Sequence, residues 1–403
     1  NYYSLNKFFI IVIIFSIISC DRNDIYIENI PFNFANNNAQ PNLVSSNGTL
    51  SLSWISSQNE NESVLHFSKF ENGKWLEPKT VAKGSDWFVN WADFPAHAIN
   101  DNLIITSYLM KSASGTYTYD VMLSLQNSSG EKIKEDFLLN TDGVKAEHGF
   151  VSIIPNNNSG FFITWLDGRN TTKKELNGHH KPMTIRFAEI TKKGDIINES
   201  ELDAKTCDCC QTSIAMTLKG PIVVYRDRSD NEVRDIYSVR NINGVWEVPA
   251  LLNDDGWIIN GCPVNGPKVV TNSSNLAIAW FTVVDDKPIV NVSFSKNDGN
   301  SFEKPIVLND KGAIGRVDVA FINDTEVVVS YMEFDDMGTY LRIKKVSVDG
   351  KVSNPITISN IDGGRNTGVP QLEILNDNIF IVWTTSINQI NQLKSVKLSL
   401  KNI

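Results

Sequence analysis

Seven times along this chain an aromatic residue closes an apolar run. Trp54 follows Leu50-Ser51-Leu52-Ser53, Tyr108 follows the run 103–107, and Trp165 follows Phe161-Phe162-Ile163-Thr164; Tyr225, Trp280, Tyr331 and Trp383 close the other four. The intervals are 54, 57, 60, 55, 51 and 52 residues, the period of a propeller blade rather than of a helical solenoid. A shorter apolar segment precedes each run and two more follow it, with Gly, Asn or Asp between them, which makes about four strands per repeat. The expected fold is all-β, a seven-bladed β-propeller over residues 41–403; a six-bladed propeller is the alternative. A length of 403 residues would ordinarily suggest two or three domains, but an uninterrupted repeat makes one cooperative unit. The last repeat offers only three clear strands, 369–375, 379–384 and 393–400. Its fourth is expected from the N-terminal segment 25–30, a closure that leaves no exposed edge.

At the N-terminus Lys7 precedes an apolar stretch of about a dozen residues, too short to span a bilayer and suited to a signal peptide. The stretch ends in Ile17-Ile18-Ser19-Cys20, which resembles the bacterial lipoprotein box. That resemblance implies a signal peptide over 1–20, lipid on Cys20, a tether over 21–40, and a propeller anchored to the membrane of a bacterial envelope, facing the periplasm or the outside. An ordinary cleaved signal peptide is the plainer reading. The net charge of −9, with no basic stripe, argues against nucleic acid as a partner. The chain is expected to act as a monomer.

The phrase Ser295-Lys296-Asn297-Asp298-Gly299-Asn300-Ser301-Phe302 resembles the Asp-box hairpin of sialidase-type propellers, with Asn at its third position and Phe at its last. The turns at 68–75 and 239–246 look like eroded copies. Such boxes are structural turns, so the resemblance speaks to architecture more than to chemistry, and sialidases usually carry six blades. For activity it implies a carboxylate held by an arginine cluster, a Tyr–Glu nucleophile pair and an Asp acid.

Chemistry-bearing residues gather where the first strand begins in six of the seven repeats. These stretches contain Trp87, Trp91 and Asp93; Glu147 and His148; Cys207, Cys209 and Cys210; Trp257 and Cys262; Arg316 and Asp318; and Arg365. Three readings follow. A glycosidase acting on a sugar-containing or small anionic ligand would use Asp93, Glu147, Arg169, Arg316, Asp318 and Arg365, because guanidinium forks suit planar carboxylates. Tyr340 and Glu333 are the available Tyr–Glu pair. The structural alternative for Arg316 and Asp318, or Arg365, is an ion pair buried in the channel wall. The second reading is a Cu(I) or Zn(II) site on Cys207, Cys209, Cys210 and Cys262, with His148 as a further ligand. Against it stand one or two disulfides, the default for four cysteines in an exported chain. An extended segment would point Cys207 and Cys209 to one side and Cys210 to the other. The third reading is a non-catalytic module that stacks a glycan on Trp87, Trp91 and Trp257, unless these pack between blades. The glycosidase reading requires no cofactor. The alternating charges of 225–235 read as a self-neutralising loop from which Arg226 or Arg234 can reach the same face. His179-His180 lies in an exposed polar insertion.

Overall fold

The computed structural model describes residues 25–34, 37–59, 61–174 and 180–403. The signal-peptide, Cys20 and His179 expectations lie outside the described residues. Among the described residues there are seven antiparallel sheets of four or five strands, a seven-bladed β-propeller. The blades begin at the strands Asn38–Ser46, His97–Asn100, His148–Pro155, Ser213–Met216, Lys268–Asn272, Gly312–Asn323 and Gln371–Leu375, each the innermost of its blade. The seventh blade takes its outermost strand from Glu28–Ile30, which pairs with Ile390–Ser399.

All seven periodic aromatics sit on the second strand of a blade and are buried. Neighbouring blades cover them, so each belongs to an apolar cluster of buried side chains. Period-2 alternation lets a strand bury both faces between adjacent blades, and the core runs round the axis as a ring of such layers.

The innermost strands are latched to one another by side chains. Asn42 Oδ1 accepts the N–H of His97, Ser152 Oγ that of Ile214, Ser213 Oγ that of Val269, and Asp318 Oδ2 that of Leu372. Three of these strands carry a bulge just before the latching residue, with Gln40, Phe150 and Arg316 in the left-handed region at φ 53°, 55° and 52°. A bulge re-aims the next side chain, and here it turns Asn42, Ser152 and Asp318 into the axial channel, a cavity of about 380 Å³ lined by all seven blades. No helix among the described residues is long and apolar enough to cross a membrane.

Candidate active site and thiol cluster

On the face where the innermost strands begin, the connecting loops of six blades meet. Gln211 donates to Ala92 O of blade two at 2.7 Å and accepts from Gly266 N of blade five at 2.9 Å. Thr212 donates to Phe150 O of blade three. Arg316 of blade six lies over the ring of Trp91 and donates to the carbonyls of Gly363, Gly364 and Gly368 in blade seven.

Tyr119, the first residue of the third strand in blade two, is at the centre of the most chemically loaded arrangement. Its hydroxyl lies 2.8 Å from Glu147 Oε1 and 3.1 Å from Asp93 Oδ2. A phenol has one proton, so both contacts are hydrogen bonds only when one carboxyl is itself protonated. The two bonds cap the separation of those carboxyl oxygens at about 6 Å. Burial pushes Asp93 up to about 7, against the stabilising N–H of Phe150 and the Tyr119 hydroxyl. Burial likewise pushes Glu147 up to about 8, with the charges of Asp93, Asp208 and Cys262 adding to the effect and the Tyr119 bond opposing it. Tyr119 is fully buried, stacked on Phe88 at 4.0 Å, and Asp93 is almost fully buried. Glu147 is half-exposed, and its other carboxyl oxygen has no partner among the described residues. Gly149 makes this packing possible, because a Cβ there would lie 2.0 Å from Asp93 Oδ2 and 3.0 Å from the Tyr119 ring.

The other expected site residues are placed differently. Asp318 pairs with Lys268 at 3.4 Å inside the channel, rather than with Arg316. Arg316, its guanidinium spent on three carbonyls, is held down to about 10 by burial. Arg365 is exposed on the loop of blade seven. Arg169 is neutralised by Asp167, Asp142 and Glu199 at 2.7, 3.5 and 3.0 Å. Three free guanidinium groups are therefore not gathered in one pocket, which corrects the arginine cluster that the sialidase resemblance implied. Glu333 is ion-paired with Arg342, whose guanidinium lies over Tyr340, so that pair also has other work.

His148 is not with the thiols. Fully buried, it stands among Asp120, Asp142 and Asp167 at 3.5, 3.3 and 3.7 Å, and the guanidinium of Arg169 already supplies a positive charge to that cage. The cysteines converge for a reason that an extended reading missed. The chain turns at Asp208-Cys209, which brings the sulfurs of Cys207, Cys209 and Cys210 within 4.8 Å of one another. All four cysteines of the described residues are free thiols. The thiols of Cys209 and Cys210, and then the charge of Arg226, hold Cys207 well below the ordinary thiol range. Of the three tryptophans proposed to stack a ligand, Trp91 lies under Arg316, Trp257 under Arg226 and Trp87 against Tyr108.

No family model matches the chain, and no curated protein does. Among solved structures the fold recurs in an ulvan lyase described as a new polysaccharide lyase family, 10% identical with a TM-score of 0.59 over 92% of this chain and 96% of that one. It recurs in an α-L-arabinofuranosidase from Fusarium graminearum, 12% identical with a TM-score of 0.51 over 93% and 98%. A Hadza microbial sialidase is 12% identical with a TM-score of 0.44 over 73% of this chain, which spans 63% of its length. The chain therefore shares its β-propeller fold with the ulvan lyase and the arabinofuranosidase.

Proposed function

We propose that this protein acts on a sugar-containing ligand at the face where the loops converge, with Glu147 as the proton donor to the ligand. The observation that carries this is the Tyr119 hydroxyl held between two carboxyls that ionise near neutral pH. At and below about pH 7 both carboxyls hold protons, so Asp93 donates to the Tyr119 oxygen and Tyr119 donates to Glu147 Oε1. The proton of Glu147 then lies on its other, unpartnered oxygen, where a glycosidic oxygen can reach it. Asp93 and Tyr119 are positioning residues in this reading, because neither is open to solvent. The fold is one that an ulvan lyase and an arabinofuranosidase use on glycans, which supports a sugar as ligand. An anionic sugar is the narrower proposal, and among the described residues it lacks a free arginine cluster.

The test is a cleavage screen on sulfated, uronic-acid-containing, sialylated and arabinose-containing glycans, with binding measured in parallel. Glu147→Gln should lose about 10²–10⁴-fold in kcat while retaining ligand binding, the range for removing a general acid. Cleavage undiminished in Glu147→Gln, or no binding to any glycan by the wild type, would overturn the reading. Binding without turnover in the wild type would favour a non-catalytic glycan module. We also propose anchoring to a bacterial envelope through lipid on Cys20, which mass spectrometry of the mature N-terminus tests; an unmodified Cys20 contradicts it.

A further inference from the structure

Beside the carboxyl pair, the loop Cys207-Asp208-Cys209-Cys210 and the neighbouring Cys262 form a second constellation with its own geometry. Cys207 Sγ lies 3.9 Å from Cys209 Sγ and 3.4 Å from Cys210 Sγ. Sulfurs bound to one ion at about 2.3 Å stand about 3.8 Å apart in a tetrahedron and about 4 Å apart in a trigonal plane. A disulfide would need about 2.05 Å. The three sulfurs, within 4.8 Å of one another and unbonded, are close enough to share one ion.

We propose that Cys207, Cys209 and Cys210 form a binding site for a thiophilic d10 cation, Cu(I) or Zn(II), which Cys262 can close as a fourth ligand. An all-sulfur donor set selects soft ions over Ca(II) or Mg(II). The adjacent carboxylate, Asp208, is turned away onto Arg228 at 2.9 Å. Three thiolates and one such cation leave a net negative charge, which a buried site must compensate. Part of the compensation is built in: Arg234, paired through Nη2 with Glu232 at 2.6 Å, donates from Nη1 to Cys207 Sγ at 3.1 Å. Arg234 is 3% exposed and Arg226, close enough for its charge to act on Cys207, is 1% exposed. Hydrogen bonds to ligand sulfurs are the outer-shell contacts that tune a metal site.

The position also carries a consequence. The cysteine loop runs directly into Gln211 and Thr212, which tie it to blades two, three and five. A bound ion would hold that loop in place and so brace the face on which Glu147 sits. The metal proposal does not depend on the sugar reading, and either can fail alone.

The test uses the full chain, reduced and stripped of metal without oxygen, then titrated separately with Cu(I) against a chromophoric chelator and with Zn(II). The expected result is one equivalent of either ion per chain, with thiolate-to-metal charge-transfer absorption for Cu(I), absent from Cys207→Ser/Cys210→Ser. Arg234→Ala should weaken binding roughly 10–100-fold. With Cys262→Ser, loss of Zn(II) alone marks a three-sulfur copper site, and loss of both ions a four-sulfur site; either supports the proposal. If the double variant does not fold, as judged by circular dichroism, alkylation of the wild type decides, because the ion should shield half-exposed Cys209. No stoichiometric binding, unaltered binding in a folded double variant, or no shielding of Cys209 would overturn it. So would a Cys207–Cys210 disulfide in the native protein that persists and excludes the ion.

Discussion

Asp93 and Glu147 share the Tyr119 hydroxyl, and burial, against that bond, raises both carboxyls toward neutral pH. Folded, Asp93 and Glu147 keep protons until about pH 7 and about 8, whereas in the unfolded chain both ionise near their ordinary values. The folded state therefore binds more protons than the unfolded state between roughly pH 4 and 8, and its stability falls as pH rises through that window. Thermal unfolding should show a decline in Tm with rising pH that is flatter in Asp93→Asn/Glu147→Gln than in the wild type. An equal slope in the two proteins would contradict the assigned burial. Gly149→Ala is the steric counterpart, since the new methyl would occupy the place of Asp93 Oδ2. Denaturant titration should show a loss of about 1–3 kcal/mol, the usual cost of overpacking a filled site, and any glycan cleavage should fall with it.

At the scale of strands and loops, the same device is repeated around the axis: a bulge with one left-handed residue, then a polar side chain that latches the next blade. The loop that precedes the fifth blade is strained as well, with the β-branched Val264 at φ 49°. Gly266, two residues on, sits where a Cβ would meet Gln211 O at 2.1 Å. Gln211 thus packs closely between the loops it bonds. Gln211→Ala removes two hydrogen bonds and leaves the backbone of buried Ala92 and half-buried Gly266 without them, so unfolding in urea should show a loss of about 1–3 kcal/mol. A change below about 0.5 kcal/mol would mean that water replaces the amide and the loops are not tied through it.

For the molecule as a whole, closure is the vulnerable point. A propeller buries every blade between two neighbours, provided the first and last meet. Here Glu28–Ile30 completes the seventh blade, while Phe32 and Phe34 pack on Trp54 of the first. A chain beginning at residue 38 would expose the Ile390–Ser399 edge and lose the contacts of buried Ile30, worth about 1.5–3 kcal/mol, and of half-buried Phe32 and Phe34. Such a truncation should lower Tm by many degrees and, through its open edge, appear as oligomers in size-exclusion chromatography. A monomer of unchanged Tm would show that closure does not depend on this segment.

The number of blades, their order and the closing strand were legible in the sequence, because strand alternation and the aromatic at each second strand are local patterns that repeat at a nearly constant interval. The gathering of Asp93, Glu147 and the cysteines on one face was legible for the same reason, since all lie in equivalent loops. Which of them touch was not. Tyr119 begins a strand, and its partners stand 26 and 28 positions away: Asp93 on the entry loop of its own blade, and Glu147 across a parallel backbone bridge to blade three. The convergence of Cys207, Cys209 and Cys210 depends on a turn that the alternation of an extended segment would deny. The arginines were a matter of competition: Arg169 met three carboxylates and Arg316 three carbonyls. Local spacing sets which face a side chain leaves from. Only the tertiary structure decides which neighbour satisfies it, because a buried charge takes the nearest partner in space, whatever its distance in sequence.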